Sequence, residues 1–234
     1  MILSAHQPQY IPWLGYFHKM AKSDCFVFLD KVQYKPREFQ NRNKIRTPDG
    51  WIWLSVPAIS KNRYRQTICD VMIDDEFPWR RKHLMSLKSC YGRCRFFGEY
   101  FPFFENIYAK KWERLLDLNV CIINYISEKL SINTPLHFES QLAVVGKSTE
   151  RIIEICRKLK ADTYLSGIGG KDYLEEEKFI QAGLNLVYQN FRHPTYQQEF
   201  ISPQSGFISY LSILDLLFNE GPASRQILLK EVAA

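Results

Sequence analysis

Short apolar runs alternate with amphipathic segments along the chain, and they predict strands and helices in alternation. Residues 2–5 form an apolar run that ends at His6, which is typical of a buried strand. Residues 12–23 carry apolar side chains three to four positions apart and predict a helix. Residues 25–29 form a continuous apolar strand that ends at Asp30. Two such strands separated by a helix indicate a βαβ unit in a parallel sheet.

The same alternation returns in the C-terminal half. The predicted strands there are residues 136–139, 163–166 and 184–188, and the predicted helices are 149–160, 171–182 and 209–219. Gly183 follows the second of these helices, at the position where a glycine commonly ends a helix.

Between the two halves the pattern changes twice. Two extended segments flank Thr47-Pro48-Asp49-Gly50, which predicts a β-hairpin within residues 31–77, with a possible further strand at 67–73. Residues 78–134 are helical in pattern, broken near Gly92, Gly98 and Pro102, and their many aromatic side chains are typical of a core. We therefore predict one α/β domain over residues 1–234. It has a Rossmann-like parallel sheet into which a basic β-hairpin region (31–77) and a helical insertion (78–134) are inserted.

Charge is distributed unevenly along this domain. The 234 residues contain 31 Lys and Arg against 25 Asp and Glu, a net charge of +6. Residues 31–65 hold nine basic and two acidic side chains, so this segment alone carries +7 and the rest of the chain −1. A local positive field of this kind favours an anionic ligand near the segment.

Other patterns exclude several classes of protein. With 46% hydrophobic residues the chain is not disordered, and no apolar run approaches the roughly 20 residues of a membrane span. The N-terminus lacks the basic start of a signal peptide. Six scattered cysteines, of which only Cys90 and Cys94 are close in sequence, predict free thiols and no zinc or other metal site. We expect a cytoplasmic protein.

Polar or glycine residues follow three of the predicted parallel strands. These are His6-Gln7, Asp30 with Gln33 beyond it, and Ser166-Gly167-Ile168-Gly169-Gly170. Ligands of parallel α/β sheets bind beyond the carboxyl ends of the strands, so we expect these residues to form the site. His6 is then a catalytic acid or base, or else a hydrogen-bonded cap of its strand. Asp30 is a second catalytic candidate, or else a turn-forming aspartate.

Two further segments have both a functional and a structural interpretation. The glycine loop could bind phosphate or carboxylate through backbone amides, or simply connect a strand to a helix; it matches neither G-x-x-x-x-G-K-[ST] nor G-x-G-x-x-G. In Asn41-Arg42-Asn43-Lys44, alternation places Arg42 and Lys44 on one hairpin face, together with Arg46. These cations could bind phosphate, or protect a sheet edge, and the basic surroundings favour the ligand.

Long sequence motifs resemble the WbqC-like protein family. The N-terminal one is His6-Gln7-Pro8-x-Tyr10-x-Pro12-Trp13-x-Gly15-Tyr16-Phe17, followed by Asp30-x-Val32-Gln33 and Asn41-Arg42-Asn43. The C-terminal ones are Tyr164-Leu165-Ser166-Gly167, Tyr173-Leu174, His193-Pro194-x-Tyr196-x-Gln198 and Ser212-Ile213-Leu214-Asp215. The family takes its name from bacterial O-antigen gene clusters. The resemblance therefore implies a group transferase that modifies a nucleotide-linked or phosphorylated amino sugar for surface polysaccharide.

Two other functions remain open at this stage. A fainter resemblance to Rossmann-like nucleotidyltransferases implies adenylation, but His6 is followed by Gln7-Pro8 and not by the H-x-G-H pair of those enzymes. The basic hairpin region could also bind nucleic acid or an anionic glycan without chemistry, although the near-neutral remainder of the chain speaks against nucleic acid. No cofactor and no oligomeric state is identified. The predicted substrate-binding residues are Gln7, Tyr10, Trp13, Gln33, Asn41, Arg42, Asn43, Lys44, Ser166, Gly167, Gly169, Gly170, Lys171, Tyr173, His193 and Tyr196.

Overall fold

A five-stranded parallel sheet lies at the centre of the protein. The computed structural model describes residues 1–201 and 206–230. The sheet contains β1 (Ile2–His6), β2 (Cys25–Phe28), β5 (Leu136–Phe138), β6 (Thr163–Ser166) and β7 (Asn185–Tyr188), in the spatial order β5-β2-β1-β6-β7. Strands β3 (Arg42–Thr47) and β4 (Gly50–Ser55) form a separate antiparallel hairpin. The α/β fold class predicted from the sequence is confirmed.

Helices surround the sheet and form the insertion. They are α1 (Leu14–Ala21), α2 (Trp79–Tyr91), α3 (Phe97–Ala109), α4 (Leu115–Lys129), α5 (Ser148–Lys158), α6 (Glu176–Gln181), α7 (Ile213–Glu220) and α8 (Ser224–Leu229). Short 3-10 turns lie at Ile68–Asp70, Glu139–Gln141, Ile168–Asp172 and Gly221–Ala223.

Alternate side chains of the central strands enter two different cores. Phe26 and Phe28 of β2 pack with α1, the hairpin, the insertion and α7, whereas Val27 packs with α5 and α6 on the other face. The period of two in a strand produces this division, because successive side chains point to opposite faces. The sheet is therefore covered on both sides, as its continuous apolar strands require.

The basic region lies at the carboxyl end of the sheet. The amide of Tyr10 donates to the Phe39 carbonyl (3.0 Å), and Asn43 Nδ2 donates to the Ile11 carbonyl (2.7 Å). Gln40 Nε2 donates to Gln7 Oε1 at 2.6 Å. The hairpin region thus packs on the segment that follows β1, and Gly50, with φ of +137°, closes its predicted turn.

Several boundaries differ from the sequence prediction. Residues 67–73 contain a 3-10 turn flanked by isolated bridges and no strand. The helix predicted from residue 171 begins at Glu176, since the chain first makes the 3-10 turn Ile168–Asp172. The helix predicted from residue 209 begins at Ile213, where Ser212 Oγ accepts the Leu214 amide (3.3 Å) and caps it.

Helix α3 continues through Pro102, where the sequence predicted a break. Proline inside a helix costs about 3 kcal/mol. Tyr100, Phe101 and Phe104 are buried on the same helix, and each buried side chain of this size stabilises by about 1.5–3 kcal/mol. Burial of the three exceeds the cost of the proline.

Candidate functional site

The carboxyl ends of β1 and β6 lie side by side where the strand order reverses. From β1 the chain proceeds outward to β2 and β5, and then crosses to β6 on the other side of β1. Such a reversal leaves a crevice between the two strands, which is the usual ligand position in open α/β sheets. His6 ends β1 and Ser166 ends β6, so two of the three predicted strand ends meet at this crevice.

Two cavities open there, of about 290 and 300 Å³. Both are lined by four residues that we call the junction: His6, Lys19, Gly167 and Gly169. The first cavity, the aromatic lobe, is also lined by Trp13, Tyr16, Gln189, Asn190, Phe191 and Tyr210. The second, the glycine lobe, is also lined by Gln7, Ser166, Gly170 and Tyr173.

His6 has the geometry of a neutral base. Its Nδ1 lies 3.1 Å from the Gln7 carbonyl, which can only accept, so Nδ1 carries the proton and Nε2 keeps its lone pair. Burial, aided by the charge of Lys19, lowers the His6 pKa to about 3. The ring centroid lies 4.9 Å from that of Tyr16. The imidazole therefore remains unprotonated throughout the physiological pH range.

Lys19 is a buried amine at the junction. Its side chain is 3% exposed, and Nζ donates to the Ala5 carbonyl at 2.9 Å. Among residues 1–201 and 206–230, no carboxylate lies within ion-pair distance of it. Burial lowers the Lys19 pKa to about 7. A buried cation without an anionic partner is costly, so a bound anion would stabilise its charged form.

Tyr16 offers a hydroxyl at the same place. The side chain is 1% exposed, and its oxygen has no hydrogen-bond partner within the part of the chain that the structure describes. Burial raises the Tyr16 pKa well above its usual value, so the hydroxyl keeps its proton. Buried hydroxyls are normally hydrogen-bonded, and this one lines a cavity in which a ligand could accept from it.

The glycines of the loop differ in what surrounds them. A Cβ on Gly170 would lie 2.0 Å from Ser166 Oγ and 3.0 Å from Leu174 Cδ1, so only glycine fits there. A Cβ on Gly169 would meet nothing within 4 Å, and one on Gly167 would meet Lys19 Nζ at 4.0 Å. Gly170 thus packs the loop against β6, while Gly167 and Gly169 leave space beside Lys19.

This difference predicts unequal effects of two alanine substitutions on stability. We expect Gly170→Ala to lower the free energy of unfolding by about 1–3 kcal/mol, because the new methyl group overlaps Ser166. We expect Gly169→Ala to change it by less than about 0.5 kcal/mol, as a substitution into open space. Urea denaturation of both variants measures this, and equal losses would contradict the assignment of Gly170 as the packed position.

Asp30 lies outside both lobes. Its side chain is 1% exposed, and Oδ1 accepts the Ser140 amide at 2.9 Å. Its carbonyl also accepts the Cys69 amide at 3.0 Å. In this position Asp30 joins the segments that follow β2 and β5, and Gln33 beyond it donates to the Tyr64 carbonyl (2.7 Å).

The hairpin cations lie outside both lobes as well. Arg42 and Lys44 share one face of the hairpin, as alternation predicted. Each lies over an indole ring: Arg42 Cζ is 4.0 Å from the ring centroid of Trp53, and Lys44 Nζ is 4.2 Å from that of Trp51. On the other face, Asn43 Nδ2 donates to the Ile11 carbonyl. Asn41 Nδ2 donates to the Val56 carbonyl at 2.9 Å.

The remaining predicted residues fall in three places. Tyr10 is fully buried in the core, where its hydroxyl bonds His83 Nδ1 (2.8 Å) and the Tyr108 hydroxyl. Lys171 lies over the Tyr188 ring at 5.1 Å. Tyr196 donates to Asp215 of α7, and its ring stacks on that of His193 with centroids 6.3 Å apart. The His193 ring also lies 5.2 Å from that of Tyr210, which lines the aromatic lobe.

Asp215 gathers these C-terminal groups into a buried polar cluster. It is fully buried and accepts hydrogen bonds from the hydroxyls of Tyr91 (3.0 Å) and Tyr196 (2.8 Å) and from Gln198 Nε2 (2.7 Å). Arg46, also fully buried, donates to the carbonyl of Phe200 at 2.9 Å and its charge acts on Asp215. The cluster attaches the C-terminal segment to the hairpin and α2.

Sequence reasoning missed several lining residues. Gln189, Asn190 and Phe191 follow β7, and the strand-end rule applied to this fourth strand would have found them. Lys19 and Tyr16 had a weaker signal: both belong to a helix that directly follows β1, and lysine is unusual among buried helix positions.

Two kinds of feature are absent from the part of the chain that the structure describes. Within residues 1–201 and 206–230, no group of three His, Cys, Asp or Glu side chains is placed to hold a metal ion. Over the same residues, no helix has the length and apolar character that crossing a bilayer requires.

Comparison with known proteins gives a family. The model of the WbqC-like protein family matches residues 7–227. The chain is 33% identical over 216 residues to "Uncharacterized protein Rv1507c" of Mycobacterium tuberculosis, a match that covers 92% of each chain. No solved structure matches. The chain therefore belongs to the WbqC-like protein family, as its motifs indicated.

Proposed function

We propose that this protein is a group transferase that acts on a nucleotide-linked or phosphorylated amino sugar used for surface polysaccharide such as O-antigen. The observation that carries the proposal is the pairing, at one strand-end crevice, of a neutral imidazole with a buried cation that has no carboxylate partner among the described residues. A base that accepts a proton and a charge that holds a phosphate are the two groups such a transfer needs.

Lys19 and the glycine loop form the phosphate site in this proposal. The amides of Ile168 and Gly169 come before the first hydrogen bond of the 3-10 turn, from the Gly170 amide to the Gly167 carbonyl (2.9 Å). Amides in such a position readily donate hydrogen bonds to an anion, and Lys19 lies beside them. Together they would bind the phosphate and thereby position the sugar.

His6 acts as the base. Its Nε2 takes the proton from the attacking amine or hydroxyl, while the Nδ1–H···O contact with Gln7 keeps the ring oriented. The same nitrogen can then return the proton to the leaving group. Tyr16 donates its free hydroxyl to a substrate oxygen. Asp30, proposed from the sequence to orient the acceptor, contributes here by fixing the segment after β2.

Removal of the Lys19 charge tests the phosphate site. We expect Lys19→Met to weaken binding of UDP-N-acetylglucosamine at pH 6.5 by about 10- to 100-fold, the value of a charge-assisted hydrogen bond. Binding to the wild-type protein should weaken as the pH rises through about 7, because Lys19 loses its proton there. Isothermal titration calorimetry measures both effects.

The matched control is Lys88→Met, since Lys88 is exposed on α2 and lines neither lobe. It should bind as the wild type does. Circular dichroism would establish that Lys19→Met is folded. The assignment of the phosphate site to Lys19 would be wrong if this variant bound phosphorylated sugars with unchanged affinity and unchanged pH dependence.

The contacts on the face of the hairpin that carries Arg42 and Lys44 favour binding of a small ligand over binding of nucleic acid. Single-stranded nucleic acid binds by stacking bases on open aromatic faces between cations. Here Arg42 covers a face of Trp53 and Lys44 one of Trp51, so these rings are already in contact with the protein's own cations. A salt titration with single-stranded DNA distinguishes the two functions, since strong binding that collapses with salt would favour the nucleic-acid role.

A further inference from the structure

We propose that the two lobes hold the two ends of one ligand, a sugar joined to a nucleoside through a pyrophosphate, with the phosphates at the junction. This inference rests on the proposed function and narrows its substrate class from any phosphorylated amino sugar to a nucleotide-linked one. It follows from which residues the two lobes share and which they do not.

The shared residues are the ones suited to an anion. The junction contains the buried amine of Lys19 and the loop glycines, so an anion held there faces both cavities. Each lobe, at about 290–300 Å³, is near the lower limit of small-molecule sites, which are commonly about 300–1,000 Å³. One lobe therefore accommodates one ring system, and a ligand with a central diphosphate needs both.

The aromatic lobe suits a planar base. Three of its walls are rings: Trp13 lies 5.5 Å from Phe191, nearly perpendicular to it, and 5.6 Å from Tyr210. Asn190, which is exposed and makes no hydrogen bond in the described part of the chain, supplies an amide that can pair with a base edge. Stacking together with an amide contact is how proteins recognise unpaired bases.

The wall formed by Trp13 is built into the fold. A Cβ on Gly15 would lie 2.2–2.6 Å from atoms of the Trp13 ring, so the indole occupies the space that the glycine leaves. Gln189, which also lines the lobe, donates from Nε2 to the Gly15 carbonyl at 2.9 Å. Specific contacts thus fix both Trp13 and Gln189 in the wall of the lobe.

The glycine lobe suits a sugar. Tyr173 is 57% exposed and offers a ring face with a hydroxyl, and Gln7 and Ser166 add polar groups for sugar hydroxyls. Two tyrosines line it, the buried Tyr164 and the exposed Tyr173, beside small residues such as Gly170, whereas the other lobe is lined by Trp13, Tyr16, Phe191 and Tyr210. We therefore place the nucleoside in the aromatic lobe and the sugar in the glycine lobe.

Two exposed tyrosines, one in each lobe, provide a matched test. Tyr210 is 59% exposed and has φ of +60°, a conformation that asparagine tolerates, so Tyr210→Asn removes the ring without backbone strain. Tyr173→Ala removes the corresponding ring of the glycine lobe. Tyr64→Ala, at a 78% exposed position in the basic region, is the control.

Titration calorimetry would compare UDP-, dTDP- and GDP-linked sugars with the matching nucleoside monophosphates and with N-acetylglucosamine 1-phosphate. We expect at least one nucleotide-sugar to bind about tenfold or more tighter than either of its halves. Tyr210→Asn should weaken binding of the nucleoside monophosphate and of the nucleotide-sugar about tenfold, and it should leave binding of the sugar phosphate unchanged. Tyr173→Ala should weaken binding of the sugar phosphate and leave binding of the nucleoside monophosphate unchanged.

The outcomes separate this inference from the proposed function. If a sugar phosphate binds in a Lys19-dependent way and nucleotide-sugars bind no tighter, the inference that one ligand spans both lobes is wrong and the transferase proposal remains. The same inference is also wrong if both tyrosine variants weaken binding of the nucleoside monophosphate and of the sugar phosphate equally. If no phosphorylated ligand binds in a Lys19-dependent way, both proposals fail.

Discussion

Replacing His6 with asparagine is expected to lower kcat by about 10²-fold while the protein stays folded, the lower end of the usual contribution of a general base, because burial makes this imidazole a weak base. The asparagine amide can take the place of Nδ1 and keep the contact with the Gln7 carbonyl, but it has no atom that replaces Nε2. Mass spectrometry of the sugar product, with a donor that the wild type uses, measures the rate. Normal turnover by a folded His6→Asn variant would exclude His6 as the base.

His137→Asn is the control for this substitution, since His137 lies on the outer strand β5 and lines neither lobe. The pH profile gives a second readout. Because the His6 pKa is about 3, the base form is populated across pH 5–8, and His6 causes no acidic loss of kcat/KM there. The fall that we expect lies above pH 7, where Lys19 loses its charge.

Replacing Asp215 with alanine is expected to lower the free energy of unfolding by at least about 3 kcal/mol. The Asp215 carboxyl group accepts three buried hydrogen bonds, and its removal leaves the Tyr91, Tyr196 and Gln198 donors without their acceptor. Each buried donor left unsatisfied costs about 1–3 kcal/mol. Urea denaturation at pH 5 measures the loss, and a loss below about 1 kcal/mol would show that the cluster does not stabilise the fold.

The sign of the pH dependence strengthens this test. Burial raises the Asp215 pKa to about 6, so between about pH 4 and 6 the folded protein binds this proton more tightly than the unfolded chain does. The stability that Asp215 contributes therefore falls as the pH rises through this window, and the loss in Asp215→Ala should be larger at pH 5 than at pH 7.5. Glu220→Ala, which removes one contact to the Gln197 amide, is the control and should cost less than about 1 kcal/mol.

The sequence predicted best where a local pattern has one consequence in space. Continuous apolar strands require a parallel sheet covered on both faces, and the carboxyl ends of such strands share one edge. His6 and Gly167 were expected at one edge for this reason, and they line the same two cavities because β1 and β6 are neighbours. The turn at Asp49-Gly50 and the helix end at Gly183, with φ of +71°, could be predicted because each depends on a few neighbouring residues alone.

The sequence could not identify contacts where a side chain had several possible partners. Arg42 and Lys44 were expected near a ligand, and the sequence did not show that the hairpin register places indole rings of the facing strand beside them. Asp30 follows an apolar strand as a ligand-binding aspartate would, and the sequence did not show that its Oδ1 accepts the amide of Ser140, 110 residues away. Such pairings depend on long-range packing, which no local pattern encodes.

The hydroxyl of Tyr16 and the amine of Lys19 come from successive turns of the same short helix, three positions apart. One residue added before Gly15 would rotate the positions behind it by about 100° around the helix axis and turn both groups away from the crevice. Point substitutions in this helix change one group at a time, whereas a single insertion removes both. The helical register of α1, and not only the identity of its residues, therefore determines which groups face the crevice.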